Sequence, residues 1–67
     1  MNLKINGKKI EIPASVKTVA ELLTHLELDK RIVVVERNKD ILQKDDNKDT
    51  SVFDGDQIEI VTFVGGG

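Results

Sequence analysis

Apolar and polar residues alternate from the start of the chain. In NLKINGKKIEI, Leu3, Ile5, Ile10 and Ile12 occupy alternate positions on either side of Asn6-Gly7. A period of two places those side chains on one face of a strand. Asn-Gly suits a tight type I′ turn, whose two central residues both need positive φ, so the segment predicts a β-hairpin with one buried face. Beyond Pro13 the period changes. Val19, Leu22, Leu23 and Leu26 fall at i, i+3, i+4 and i+7, which is one stripe of a helix. Thr18, with Glu21 three residues later, matches a capping box, in which hydroxyl and carboxylate each satisfy a backbone N–H left without a helical partner. The helix is predicted to start there and to fade by Leu28 or Asp29.

The run IVVVERN, beginning at Ile32, is continuously β-branched and predicts a strand buried on both faces. Ile41-Leu42 suits a brief edge strand, and QKDDNKDTS reads as a hydrophilic loop. In DGDQIEIVTFV, Gly55 is free to take positive φ in a turn, and Ile58 and Ile60 then alternate with Gln57 and Glu59 along a last strand. The order is ββαβ(β)β. One helix and four or five strands close a core only if the helix lies across one face of the sheet. The hairpin is antiparallel, while a helical crossover favours a parallel pairing afterwards. The expected fold is therefore α+β: a mixed four- to five-stranded sheet packed on one main helix, the β-grasp or ubiquitin-like arrangement.

Composition narrows what such a domain can do. At 67 residues there is room for one domain and none for a deep cleft. The chain has no cysteine, so disulfides, thiol catalysis and a cysteine metal site on its own side chains are excluded. Apolar residues make up 39% and charged residues 33%, with a net charge of -2, which suits a soluble globular protein. A basic footprint for nucleic acid is missing, and no run is long enough to cross a bilayer. The opening MNLKINGKKI has no apolar core of a signal peptide, so the expected location is cytoplasmic.

Candidate chemistry is sparse until the end of the chain. Asp45, Asn47, Asp49 and Asp56 occupy positions 1, 3, 5 and 12 of a calcium-loop pattern, but Thr50 stands where the sharp turn wants glycine and Asp56 replaces the longer glutamate. A solvated acidic loop is the expected reading, with no metal bound. His25 has no apparent nucleophile to activate, and Glu11, Glu21, Glu36 and Glu59 are scattered over different elements. In the last strand, Val61 and Phe63 share the parity of Gln57 and Glu59, opposite to Ile58 and Ile60, so two apolar side chains are expected on the outer face. They lead into Val64 and Gly65-Gly66-Gly67. Residues 1–62 are expected to form the folded domain and 63–67 a flexible tail. Extended at about 3.3 Å per residue, Thr62 to Gly67 could reach on the order of 20 Å. Glycine lacks the Cβ that would clash with a narrow channel. The group delivered is the α-carboxylate of Gly67, ionised at neutral pH because its reference pKa is about 3.3–3.7. Its oxygen can attack the α-phosphorus of ATP, and the resulting mixed anhydride can accept nitrogen, oxygen or sulfur nucleophiles.

VVVERNKDIL followed by FDGDQIEIVTFVGGG, behind an Asn-Gly hairpin and one helix, resembles the ThiS family, the sulfur carrier proteins of thiamine biosynthesis. The resemblance spans essentially the whole chain. It implies a β-grasp fold and a protein that is a co-substrate rather than an enzyme. It also implies an E1-like adenylyltransferase, ThiF, that uses ATP and magnesium to adenylate the terminal glycine, here Gly67. Sulfur from a cysteine desulfurase persulfide would then give a thiocarboxylate, consumed by the thiazole synthase ThiG. On this reading Gly65 and Gly66 thread the partner's channel, and Val61, Phe63 and Val64 are docking contacts. The chain itself would bind no cofactor. The acidic DDNKD loop departs from many relatives. The small subunit of molybdopterin synthase, which shares the fold and the Gly-Gly end but is usually longer, is the alternative within the same chemistry; a plain β-grasp interaction or modifier module is the alternative outside it.

Overall fold

The structure is a computed structural model and describes residues 1–63. β1 (Asn2–Ile5) and β2 (Lys8–Glu11) form the antiparallel hairpin, with Leu3 opposite Ile10. Asn6 and Gly7 take φ of 50° and 83°, the left-handed pair that the Asn-Gly turn requires. α1 (Val19–His25) follows, then β3 (Val33–Arg37), β4 (Asp40–Leu42), a single 3₁₀ turn over Lys44–Asp46, and β5 (Gln57–Thr62). The sheet is ordered β2-β1-β5-β3-β4. β5 lies in the middle, parallel to β1 and antiparallel to β3. This is the mixed five-stranded sheet with one helix expected from the sequence.

α1 is short and its start is held firmly. The Thr18 hydroxyl accepts from Glu21 N–H at 3.1 Å, and Glu21 Oε1 accepts from Thr18 N–H at 3.1 Å, completing the capping box. The Val19 and Ala20 N–H groups, which have no helical acceptor, donate to the carbonyls of Thr50 and Asn47, both at 2.9 Å. The acidic loop is thus structural, since its backbone closes the helix N-terminus. The helix ends at His25, earlier than expected from the sequence. Glu27 takes a left-handed φ of 61°, and the Glu27 and Leu28 N–H groups donate back to Thr24 and Leu23 carbonyls in a Schellman arrangement. Glycine is the usual residue at that position; glutamate there gives no warning of a stop.

The core lies between α1 and one face of the sheet. Leu3, Ile5, Val35, Ile58 and Ile60 from the strands and Ile12 just past β2 meet Val19, Leu22 and Leu23 from the helix, joined by Val16 and Val52. Leu26, the fourth residue of the predicted stripe, only packs against the margin of this cluster. The expectation that β3 is buried on both faces is not met. Val35 is buried, but its neighbour Val34 points to the open face of the sheet and is 37% exposed. A run of β-branched residues suits a strand whether its second face meets protein or water, so the run alone could not tell the two apart.

Candidate functional site

The segments VERN and FDGD come together at one end of the sheet. Asp56 is buried, and its carboxylate accepts from Arg37 Nε at 2.8 Å, from Asn38 Nδ2 at 3.2 Å and from Phe53 N–H at 2.9 Å. Asn38 in turn accepts from Gln57 N–H through Oδ1 at 2.9 Å. The Arg37 guanidinium lies over the Phe53 ring, 5.6 Å from its centroid, which accounts for an otherwise exposed aromatic side chain. Burial opposes ionisation of Asp56 and is the largest single influence on it. The hydrogen bonds from Phe53, Asn38 and Arg37, with the Arg37 charge, together outweigh it and hold the carboxyl below its ordinary value of 3.8. Every partner is internal, so this cluster fastens the turn before β5 to the end of β3. It is a lock on the fold.

The remaining sequence candidates stay apart. His25 is exposed at the end of α1. Asp45 and Asp49 are exposed on the loop that caps α1, whereas Asp56 faces Arg37. Among the described residues, no group of three or more His, Cys, Asp or Glu side chains is placed to hold a metal ion.

The open face of the sheet is different. The register places Val34 opposite Val61, Glu36 opposite both Glu59 and Ile41, and Val33 opposite Thr62. Val34, Glu36, Ile41, Glu59 and Val61 therefore share the face that α1 does not cover. Ile32 and Phe63 continue the same alternation where the strands end, joined by Phe63 N–H donating to the Ile32 carbonyl at 3.1 Å. Ile32 is 75% exposed, Ile41 67%, Phe63 53% and Val61 52%. Among the described residues, five of the six exposed large hydrophobic side chains thus gather on this face, the sixth being Phe53. Scattered exposed aliphatics are ordinary, whereas a large exposed apolar patch is a feature of contact surfaces, which makes this face the candidate. Val61 and Phe63, expected on the outer face from parity alone, are found there. Ile32, Val34 and Ile41 were missed, although Ile41 is diagnosed by its register opposite the outward Glu36. Val64, Gly65, Gly66 and Gly67 lie outside the described residues.

Among the described residues, no helix is long and apolar enough to cross a membrane. The ThiS family model matches residues 3–67. Over 65 residues the chain is 43% identical to the sulfur carrier protein ThiS of Bacillus subtilis (strain 168), covering 97% of this chain and 98% of that one. It is also 48% identical, over all of its 67 residues, to a thiazole synthase of Paramagnetospirillum magneticum, of which it spans 20%. Among solved structures, the crystal structure of the thiamine biosynthesis protein ThiS from Geobacter metallireducens superposes with a TM-score of 0.83 at 38% identity, each chain covered completely. The solution structure of a thiamine biosynthesis protein from the same organism gives 0.82 at 38% identity, covering all of this chain and 88% of that one. The β-grasp expectation holds, and the choice left open between the thiamine and molybdopterin carriers falls to the former. The chain belongs to the ThiS family, the sulfur carriers of thiamine biosynthesis.

Proposed function

We propose that the sulfur is carried on the C-terminal carboxylate of Gly67, and that the open face around Val61 and Phe63 docks the enzymes that load and unload it. The observation that carries this reading is the position of the exposed apolar group: it lies on β5 and its neighbours, and β5 is the strand that leads directly to the C-terminus. The chain has no cysteine to compete for sulfur, which leaves the terminal carboxylate as the group able to hold it. Residues 1–62 act as the folded body and 63–67 as the arm. An E1-like adenylyltransferase of the ThiF kind, with magnesium, lets a Gly67 carboxylate oxygen attack the α-phosphorus of ATP, forming the acyl adenylate and releasing pyrophosphate. The outer sulfur of a cysteine desulfurase persulfide then attacks the adenylate and displaces AMP, forming an acyl disulfide, and a thiol reductant cleaves the S–S bond to leave the thiocarboxylate. A thiazole synthase of the ThiG kind takes that sulfur. Support for this last partner comes from the P. magneticum thiazole synthase, about one fifth of which matches this whole chain. Gly65 and Gly66 suit a narrow channel because they bring no Cβ to its walls. Val64 is assigned to partner contact as well. The cycle belongs to the cytoplasm.

Intact-mass measurement after incubation with ATP, magnesium, the adenylating enzyme and a sulfur source tests the reading. A gain matching one sulfur in place of one oxygen is expected, and it should vanish when Gly67 is deleted while the melting temperature stays put. An unchanged mass in the presence of a competent adenylating enzyme would sink the proposal. A large fall in melting temperature on deletion would show that the division between body and arm is misplaced.

A further inference from the structure

β1 leaves the sheet after Ile5, because Asn6 and Gly7 turn the chain back into β2. Its backbone pairing with β5 ends there, at Ile5 opposite Ile58, with Asn6 N–H donating to the Ile58 carbonyl at 2.9 Å. β5 runs on to Thr62. The Asn6 side chain takes over where the β1 backbone stops. Its Oδ1 accepts from Ile60 N–H at 2.7 Å, and its Nδ2 donates to the Ile60 carbonyl at 3.0 Å. A planar carboxamide thus stands where the next peptide of a parallel strand would stand, and it satisfies both backbone groups of a residue 54 positions away. On its other edge Ile60 faces Val35. Beyond Ile60, the register pairs Val61 and Thr62 with β3, and Phe63 bonds to Ile32 just before it. Ile60 is the point where the strand passes from support on two sides to support on one.

We propose that Asn6 is a positioning residue of the carrier: its amide pins β5 at Ile60 and so fixes the base from which Val61, Phe63 and the terminal glycines meet the partner enzyme. This rests on the carrier reading given above. Two demands meet at position 6, and asparagine satisfies both. The turn needs a residue that tolerates positive φ, and the strand needs a short side chain that donates and accepts in one plane. Glycine meets the first demand alone, and aspartate at neutral pH has no donor for the Ile60 carbonyl. The consequence is geometric. Loosening β5 beyond Ile60 would lengthen the arm from residues 63–67 to 61–67, which lowers the effective concentration of its end by roughly 1.7-fold. It would also unfix Val61 and Phe63, the side chains that the partner is to recognise.

Asn6→Gly tests this, because it preserves the left-handed turn and removes only the two bonds to Ile60. Amide hydrogen exchange is measured at Ile60 and at Leu22 in the core, and steady-state adenylation by the ThiF-like enzyme with ATP and magnesium is followed by pyrophosphate release. Exchange at Ile60 should accelerate about tenfold relative to Leu22, as a local opening does. The KM for the carrier should rise about threefold or more with kcat nearly unchanged, since the same terminus reaches the same active site once bound. A general loss of structure would instead accelerate both amides together, and would overturn the proposal. So would an unchanged KM, or an Ile60 amide no faster than in the native chain. If the native chain is not adenylated at all, the carrier reading itself falls, whereas adenylation with an unaltered KM in the variant overturns the role of Asn6 alone.

Discussion

On the covered face of the sheet Leu3, Ile5, Val35, Ile58 and Ile60 disappear beneath α1, while on the open face Val34, Ile41 and Val61 stay in water. The residue types are the same on both faces, so aliphatic content does not separate them. What separates them is whether a helix lies overhead. A small domain can bury only a modest part of its surface, roughly 60% at about 60 residues, and here the one helix covers one face. Stability is therefore concentrated on the covered side, and the open side is free to be selected for recognition. The charges follow the same division. Asp56 is matched to Arg37 at the end of the covered side, whereas Glu36 and Glu59 stand opposite each other on the open face. Like charges placed opposite in a ladder weaken the pair slightly, a small cost that a contact surface tolerates and a core would not.

The largest expected effect comes from breaking the covered face. Leu22 is fully buried between helix and sheet. Leu22→Ala removes its packing and leaves a cavity, which should cost about 3–5 kcal/mol. The midpoint of urea unfolding at unchanged slope measures it. A cost under about 1 kcal/mol, the scale of an ordinary surface change, would mean that α1 is not what closes the core.

The lock at Asp56 comes next. Asp56→Ala strands the Arg37 guanidinium, the Asn38 amide and the Phe53 N–H, and should destabilise the domain by about 2–3 kcal/mol. Its pH dependence has a definite sign. The folded carboxyl titrates below its unfolded value, so ionised Asp56 binds its partners more tightly than the protonated form does, and its contribution is complete above the ordinary value of 3.8. It is lost as pH falls from about 4 through the lower, folded value. Native protein should thus lose stability in that window, and Asp56→Asn, which cannot titrate there, should lose less. Parallel acid profiles for the two chains would refute the assignment.

These sites also mark how far the sequence could be read. The hairpin, the capping box and the parity of β5 were legible because each depends on neighbours within a few residues: Asn6-Gly7, Thr18 with Glu21, and Ile58 alternating with Glu59. The early end of α1 was not legible, since Glu27 carries no mark of the left-handed conformation it takes. VERN and FDGD stood out as separate segments, but nothing in either says that Arg37 and Asn38 close on Asp56 across the sheet. The second role of Asn6 was hidden by its first, because a turn explains an Asn-Gly pair fully until the fold brings Ile60 beside it. The exposure of Val34 was missed for a related reason: hydrophobicity reports that a face avoids water, whether the cover is the chain's own helix or another protein.

The smallest expected change in stability is the one that separates the two faces best. Val61 and Val35 are both valines on adjacent strands, one on each side of the sheet. Val35→Ala should cost about 1–3 kcal/mol, as the removal of two buried methyl groups does. Val61→Ala removes the same atoms from a half-exposed site and should stay within about 0.5 kcal/mol. If the open face is a docking surface, the order reverses when sulfur loading is measured: Val61→Ala should lower kcat/KM for adenylation severalfold, while Val35→Ala, assayed well below its melting temperature, should load at nearly the native rate. A Val61 variant as unstable as the Val35 variant would place Val61 in the core. One that is stable and loads normally would leave the open face without a role in the carrier cycle, and the exposed group around it would need a different partner.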